Sequence, residues 1–271
     1  MVLSELVGYE IGNRTISYVE RDAILYALTV GASRFETDLI YERDLRVLPA
    51  YACALGLWAV EAAGELGAYD RKLSLHASQS LDIFMPLPKN GNFETSGIIT
   101  GVWDKGKAAL LDIEVECKYF RTSYGIFLPG LGGWGGERTG SSCASSDSVS
   151  TVKETGKSWS GNYTTSPEQA ALYRLTGDLH PIHIDPSVAK ANHFERPILH
   201  GLCTLGIVAR MISEAEEVHP SELTKLNARL SSPVLPGDVI EVTANTTSTG
   251  LNFEAVVGST PVLKDGRAAF C

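Results

Sequence analysis

Asp178 and His183 stand five residues apart in this 271-residue sequence, with Pro181 between them. Proline fixes its own φ and keeps the residue before it out of the helical region. The two side chains can therefore converge where a straight helix would point them apart. A carboxylate and an imidazole brought together can hold and polarise a water while one of them passes a proton elsewhere. The spacing alone is a weak signal, since Asp178 could simply terminate a preceding helix. A second element is Ile198-Leu199-His200-Gly201-Leu202, which opens an apolar helical stretch. A glycine at a helix start leaves backbone N–H groups unpaired and lets a ligand oxygen approach without a Cβ in the way. A carbonyl oxygen that gains negative charge during a reaction needs that kind of donor. The plainer reading is that Gly201 permits close helix–sheet packing.

Four of the six histidines (His180, His183, His193, His200) fall within 21 positions. A metal site with Asp178 or Asp185 as third ligand is therefore weighed, and no metal is expected. Asp185-Pro186 reads as a helix N-cap followed by proline at the first helical position. Cys203 lies on an apolar helix face and reads as core. His200 reads as structural.

These residues need elements to position them, and an internal repeat supplies the plan. Ala23-Ile24-Leu25-Tyr26-Ala27-Leu28-Thr29 aligns with Ala170-Ala171-Leu172-Tyr173-Arg174-Leu175-Thr176 at an offset of 147, and Pro86 falls on Pro233 at the same offset. Each half then has an apolar stretch introduced by proline, from Pro49 towards Gly64 and from Pro197 through Met211. Both are apolar around most of the circumference, as a helix buried inside a sheet must be. Strands are expected over residues 81–84, 93–102, 108–115 and 124–128, and again over 226–230, 239–246, 251–257 and 268–270. One long helix and antiparallel strands, twice, predict an α+β tandem (double) hot-dog fold, each half an antiparallel sheet wrapped around a long central helix. The expected division is residues 1–135, a Gly/Ser-rich linker over 136–157, and a catalytic half over 158–271. At the repeat offset the first half has Gly31 opposite Asp178 and Glu36 opposite His183. Cys53 stands at about the place of Gly201, so the chemistry belongs to the second half.

Composition narrows the function. With 44 % hydrophobic residues the chain can bury a substantial core, and its formal charge of −9 argues against nucleic-acid binding. Five scattered cysteines without CxxC spacing read as reduced thiols. Met1–Asn13 lacks a basic region before an apolar run, no stretch of about eighteen apolar residues occurs, and Ala269-Phe270-Cys271 is not a peroxisomal address. A cytoplasmic protein with no membrane contact is expected.

Tyr173 through Pro186, with Ile198-Leu199-His200-Gly201-Leu202-Cys203-Thr204, closely resembles the MaoC-like, type 2 (R-specific) enoyl-CoA hydratases. Tyr41-Glu42-Arg43-Asp44-Leu45, Asp104-Lys105-Gly106-Lys107 and Gly130–Gly136 resemble the first half of the two-domain members. The resemblance covers almost the whole chain. It implies reversible hydration of a trans-2-enoyl-CoA to a (3R)-hydroxyacyl-CoA, with Asp178 and His183 binding the water and the Gly201 N–H steadying the thioester oxygen. The first half would make room for the acyl chain. No metal or cofactor is implied beyond the CoA thioester itself as substrate.

His180 stands where the family usually has asparagine, and so joins the catalytic candidates with a group that titrates near neutrality. Leu75-His76-Ala77-Ser78-Gln79 departs from the family's Leu-His-Gly-Glu-Gln. Lys105, Lys107, Lys190 and Arg196 are candidates for the nucleotide end of CoA by charge alone. The alternatives are a dehydratase of a specialised, polyketide-type non-CoA metabolite and a non-catalytic acyl-thioester-binding subunit. Either a monomer or a homodimer fits.

Overall fold

The computed structural model describes residues 1–139 and 154–271. Among these residues ten strands form one sheet: β1 (Glu10–Tyr18), β2 (Leu75–Ile83), β3 (Gly91–Asp104), β4 (Ala108–Glu116), β5 (Phe120–Pro129), β6 (Glu154–Thr164), β7 (Leu223–Leu230), β8 (Val239–Thr247), β9 (Gly250–Val257) and β10 (Thr260–Phe270). Their order is β1-β3-β4-β5-β2-β7-β10-β9-β8-β6, and every neighbouring pair is antiparallel. The order reads the same from either edge once β1 is matched with β6, β2 with β7, and so on. The repeat in the sequence is thus a repeat in space. β2 and β7 join the halves, in register from Ser78 opposite Arg229 to Asp82 opposite Lys225.

The helices are α1 (Glu20–Thr29), α2 (Thr37–Ile40), α3 (Tyr51–Leu55), α4 (Trp58–Glu65), α5 (Gln169–Tyr173), α6 (Pro186–Ala191), α7 (Gly201–Met211) and α8 (Ser213–Glu216). α7 is buried continuously from Leu202 to Ala209. Each fully buried Leu, Ile or Val contributes about 1.5–3 kcal/mol, so this apolar helix anchors the core of the second half. Gly206 is where α7 passes α1, since a Cβ there would lie 2.7 Å from both the Tyr26 hydroxyl and a Val30 methyl.

The first half departs from the expected long helix: α3 and α4 are separate. The Tyr124 hydroxyl donates to the Cys53 carbonyl at 2.7 Å, taking an acceptor that a continuous helix would offer to the Leu57 N–H. That N–H turns instead to the Ala54 carbonyl, one residue nearer. β1 and β6 were also not expected. Both are edge strands whose side chains are largely polar, and β1 buries only Ile16 and Tyr18. Such strands lack the alternation that marks a half-buried one.

The expected linker falls mostly on 140–153, outside the described residues, and its last four residues belong to β6. The glycine-rich run before it is anchored. The Asp104 carboxylate accepts the N–H groups of Gly106, Gly133 and Gly135, each at 2.8 Å, and Gly133 and Gly135 take positive φ to present them. No described helix is long and apolar enough to cross a membrane.

The N–H groups of Gly133 and Gly106 foremost hold the Asp104 carboxyl below the ordinary carboxylate range. A carboxyl depressed in this way contributes stability above its unfolded pKa and loses it as pH falls through the folded one. Asp104→Asn is expected to lower Tm at pH 7, with the deficit shrinking as pH drops below about 4. Equal Tm values at pH 7 by calorimetry would show that the carboxylate does not anchor the loop.

Candidate active site

The segment after α5 is built to bend. A 3-10 turn over Arg174–Thr176 ends at Gly177, whose φ of 131° stops the helix. Asp178 follows, and its Oδ1 accepts the His180 N–H at 3.1 Å. Pro181–His183 form a second 3-10 turn, capped by His180 Nδ1 accepting the Ile182 N–H at 3.3 Å. The bend brings His183 Nε2 to 3.9 Å from Asp178 Oδ2, with the two side chains only 11 % and 20 % exposed. Asp185 caps α6 as its sequence context predicts, accepting from the Ser187 N–H at 2.7 Å.

The protonation state of His183 follows from its partners. A carbonyl only accepts, so the 2.9 Å contact with the Ile198 oxygen requires His183 Nδ1 to carry a proton. In the neutral ring Nε2 then has a free lone pair facing the carboxylate. Burial pushes the His183 pKa down, with the Asp178 charge opposing it. At 3.9 Å the pair makes no direct hydrogen bond, but one oxygen can sit within reach of both.

Beneath this pair lies His200, 1 % exposed. Its ring stacks on that of His183, with centroids 3.6 Å apart at 23°, and its Nε2–H donates to the Asp178 main-chain oxygen at 3.2 Å. Ligand atoms of Asp178, His183 and His200 lie within 4.8 Å of one another. The stack works against a cation cage, because ring-nitrogen lone pairs lying in near-parallel planes do not converge on one point.

Asp178, His180, His183 and Gly201 all line one cavity of about 550 Å³. Both halves build it. The second half contributes Ile198, Leu202 and Thr204. The first contributes Leu57 and Val60, from and just beyond the break between α3 and α4, with His76 and Ala77 of β2 and Phe127 of β5. Gly201 opens α7, and a Cβ there would overlap a methyl of Leu230. Both readings of this glycine are compatible, since it allows close packing and also presents the helix start to the cavity. Cys203 is wholly buried, and burial raises its thiol pKa well above the ordinary value, as a core residue requires.

The charged candidates separate. Lys105 and Lys107 sit at the β3–β4 turn and do not line the cavity; the Lys105 ammonium is held by the Arg138 carbonyl. Lys190 and Arg196 are exposed, and Arg196 edges a smaller hollow that also touches His183. Arg71, Lys72 and Glu61 line the main cavity and were missed. Their only sequence signal was charge near Ser74-Leu75-His76, and nothing there showed that β2 would face Asp178.

Burial lowers the pKa of His180 and His183, and takes that of His200 down to about 3. The unfolded chain therefore binds more protons below about pH 6.5, and stability is lost as pH falls through that window. Tm is expected to decline from pH 7 to 4.5, and less steeply in His200→Phe, which removes the most depressed group. Parallel Tm–pH curves for the two proteins would contradict this assignment.

Comparison with known proteins bears on the family and the fold. The MaoC like domain model matches residues 150–266, and the MFE-2 hydratase 2 N-terminal domain model matches residues 16–128. The probable enoyl-CoA hydratase 2 of Dictyostelium discoideum is 32 % identical over 255 residues, covering 88 % of this chain and 85 % of that protein. The crystal structure of a MaoC-like dehydratase from Phytophthora capsici superposes with a TM-score of 0.86 at 26 % identity, covering 100 % of this chain and 98 % of the other. A Mycobacterium tuberculosis protein described as having a double hotdog fold aligns with a TM-score of 0.64 at 13 % identity, over 100 % and 98 % of the two chains, a likeness of fold alone. Tandem hot-dog halves, a cavity between them and matches along both halves make this chain a member of the MaoC-like hydratase/dehydratase family, in its two-domain hydratase 2 form.

Proposed function

We propose that this protein hydrates a trans-2-enoyl-CoA reversibly to the (3R)-hydroxyacyl-CoA, with Asp178 and His183 as the acid–base pair. The observation that carries the reading is the 3.9 Å gap between Asp178 Oδ2 and a His183 Nε2 left bare by the Nδ1–H bond to Ile198. A water in that gap donates one O–H to each partner. As its oxygen attacks C3, a proton passes to the pair, and a proton from the pair reaches C2. The hydroxyl and the hydrogen are both accounted for, and the pair ends as it began. The addition is redox-neutral, so the step needs no oxidant or reductant.

The thioester oxygen gains charge during the attack. The backbone N–H at Gly201 has no helical partner and lines the same cavity, so it is the proposed donor. The apolar wall of Leu57, Val60 and Phe127 takes the acyl chain. For the nucleotide end the proposal keeps Lys190 and Arg196, adds Arg71 and Lys72 at the cavity, and leaves out Lys105 and Lys107. It retains the cytoplasm as compartment and a monomer or homodimer as assembly. His180 and Ala77 both line the cavity. Their departures from the family pattern therefore bear on the substrate, which favours a specialised acyl group as the second reading.

The test is turnover of trans-2-enoyl-CoA thioesters from short to long, including ring-bearing acyl groups, with product chirality read out. The (3R)-hydroxy product is expected, with kcat reduced at least ~10²-fold in Asp178→Asn and in His183→Ala. Wild-type kcat in either variant removes that residue from the acid–base pair. A folded protein inactive on the whole panel would instead point to the specialised metabolite or to a binding subunit.

A further inference from the structure

We propose that His200 is a positioning residue that sets the spacing of the Asp178–His183 pair from both sides, an inference that rests on the function proposed above. Three observations on one side chain carry it. Its ring stacks face to face on His183 at 3.6 Å, so it fixes the plane in which the His183 Nε2 lone pair points. Its Nε2–H holds the Asp178 main-chain oxygen at 3.2 Å, so it also fixes the backbone that carries the carboxylate. Its ring also meets the buried Tyr173 of α5, with centroids 4.9 Å apart at 49°. Both rings are buried, so the stack on His183 is packed against the core.

Two ordinary explanations for this histidine do not fit. His200 occupies the N-cap position of α7, yet its side chain makes no capping hydrogen bond there. Nor is it simply space-filling. Its Nδ1 is buried without a hydrogen-bond partner among the described residues, a cost that a phenyl ring of similar size would not carry. What the imidazole adds over a phenyl ring is the donor to Asp178.

That bond also determines the tautomer, with the proton on Nε2 and Nδ1 bare. The ionisable groups around His200 are His183, Asp178, Tyr173 and Arg174. Burial first, then the neighbouring His183, keeps the ring neutral down to about pH 3. A neutral ring remains a constant surface while His183 gains and loses a proton. A second charged imidazole in that place would repel it.

His200→Phe keeps a stacking ring and loses the donor; His200→Gln keeps a possible donor and loses the ring. Each is expected to lower kcat by ~10-fold or more with KM within about threefold of wild type, since the loss is of geometry in the reacting pair. A folded variant with wild-type kcat would overturn the part it removes. Imidazole ¹⁵N NMR on the wild-type protein provides a test independent of turnover and of variant folding. His200 should carry its proton on Nε2 and stay neutral from pH 5 to 8, with His183 protonated at Nδ1 when neutral. A His200 that titrates in that range, or bears its proton on Nδ1, would overturn the proposal. Should the wild-type protein turn over no enoyl thioester, the function fails while the NMR result still decides the geometry.

Discussion

The pairing of β2 with β7 is the constraint on which the rest depends. Five residue pairs, from Ser78–Arg229 to Asp82–Lys225, turn two halves of five described strands each into one sheet, with β1 and β6 as its edges among the described residues. Without that seam the bend at Asp178–His183 would face solvent, because the opposite wall comes from β2, α4 and β5 of the other half. Further links cross the same boundary. The Gln169 amide donates to the Thr29 carbonyl at 2.6 Å in the buried region, and Arg46 meets Glu222 at 3.1 Å. The latter is half exposed and contributes little by itself. The buried amide bond, made between matching segments of the two halves, is the more consequential.

The two halves began with one plan and now do different work, and individual positions show how. Glu36, opposite His183 in the repeat, binds Arg210 of α7 at 3.2 Å, so the counterpart of His183 steadies the central helix of the other half. Gly31, opposite Asp178, faces the Tyr163 ring so closely that any Cβ would collide with it. Near the counterpart of Gly201, the Cys53 carbonyl is taken by Tyr124 and the helix ends two residues later. The break exposes Leu57 and Val60 to the cavity. The first half has no bend like that at Asp178–His183 and supplies an apolar wall in its place.

Burial also sets the electrostatics. Four imidazoles (His76, His180, His183 and His200) line or lie under the cavity, and desolvation lowers the pKa of each. Each has a main-chain partner that selects its tautomer: Ser78 oxygen for His76, the Ile182 N–H for His180, Ile198 oxygen for His183 and Asp178 oxygen for His200. Neutral rings with assigned donor and acceptor atoms surround one carboxylate. Such a site can position a water without large reorganisation.

Much of this was legible in the amino-acid order. The 147-residue offset and the proline-introduced apolar stretches pointed to the tandem fold, and the motifs from Tyr173 to Pro186 and from Ile198 to Thr204 named Asp178, His183 and Gly201 as candidates, because repeats, periodicity and local bends are read along the chain. The edge strands were not legible, since a polar strand gains its identity from the neighbour it pairs with. The broken first helix was not either, because its cause is a hydroxyl 71 residues away in sequence. Arg71 and Glu61 looked like scattered polar residues until β2 met β7. His200 read as structural, and only the tertiary structure placed its ring on His183 and its N–H on Asp178. Residue types and local spacing are written in the chain. Which distant groups share one wall of a cavity is decided by packing.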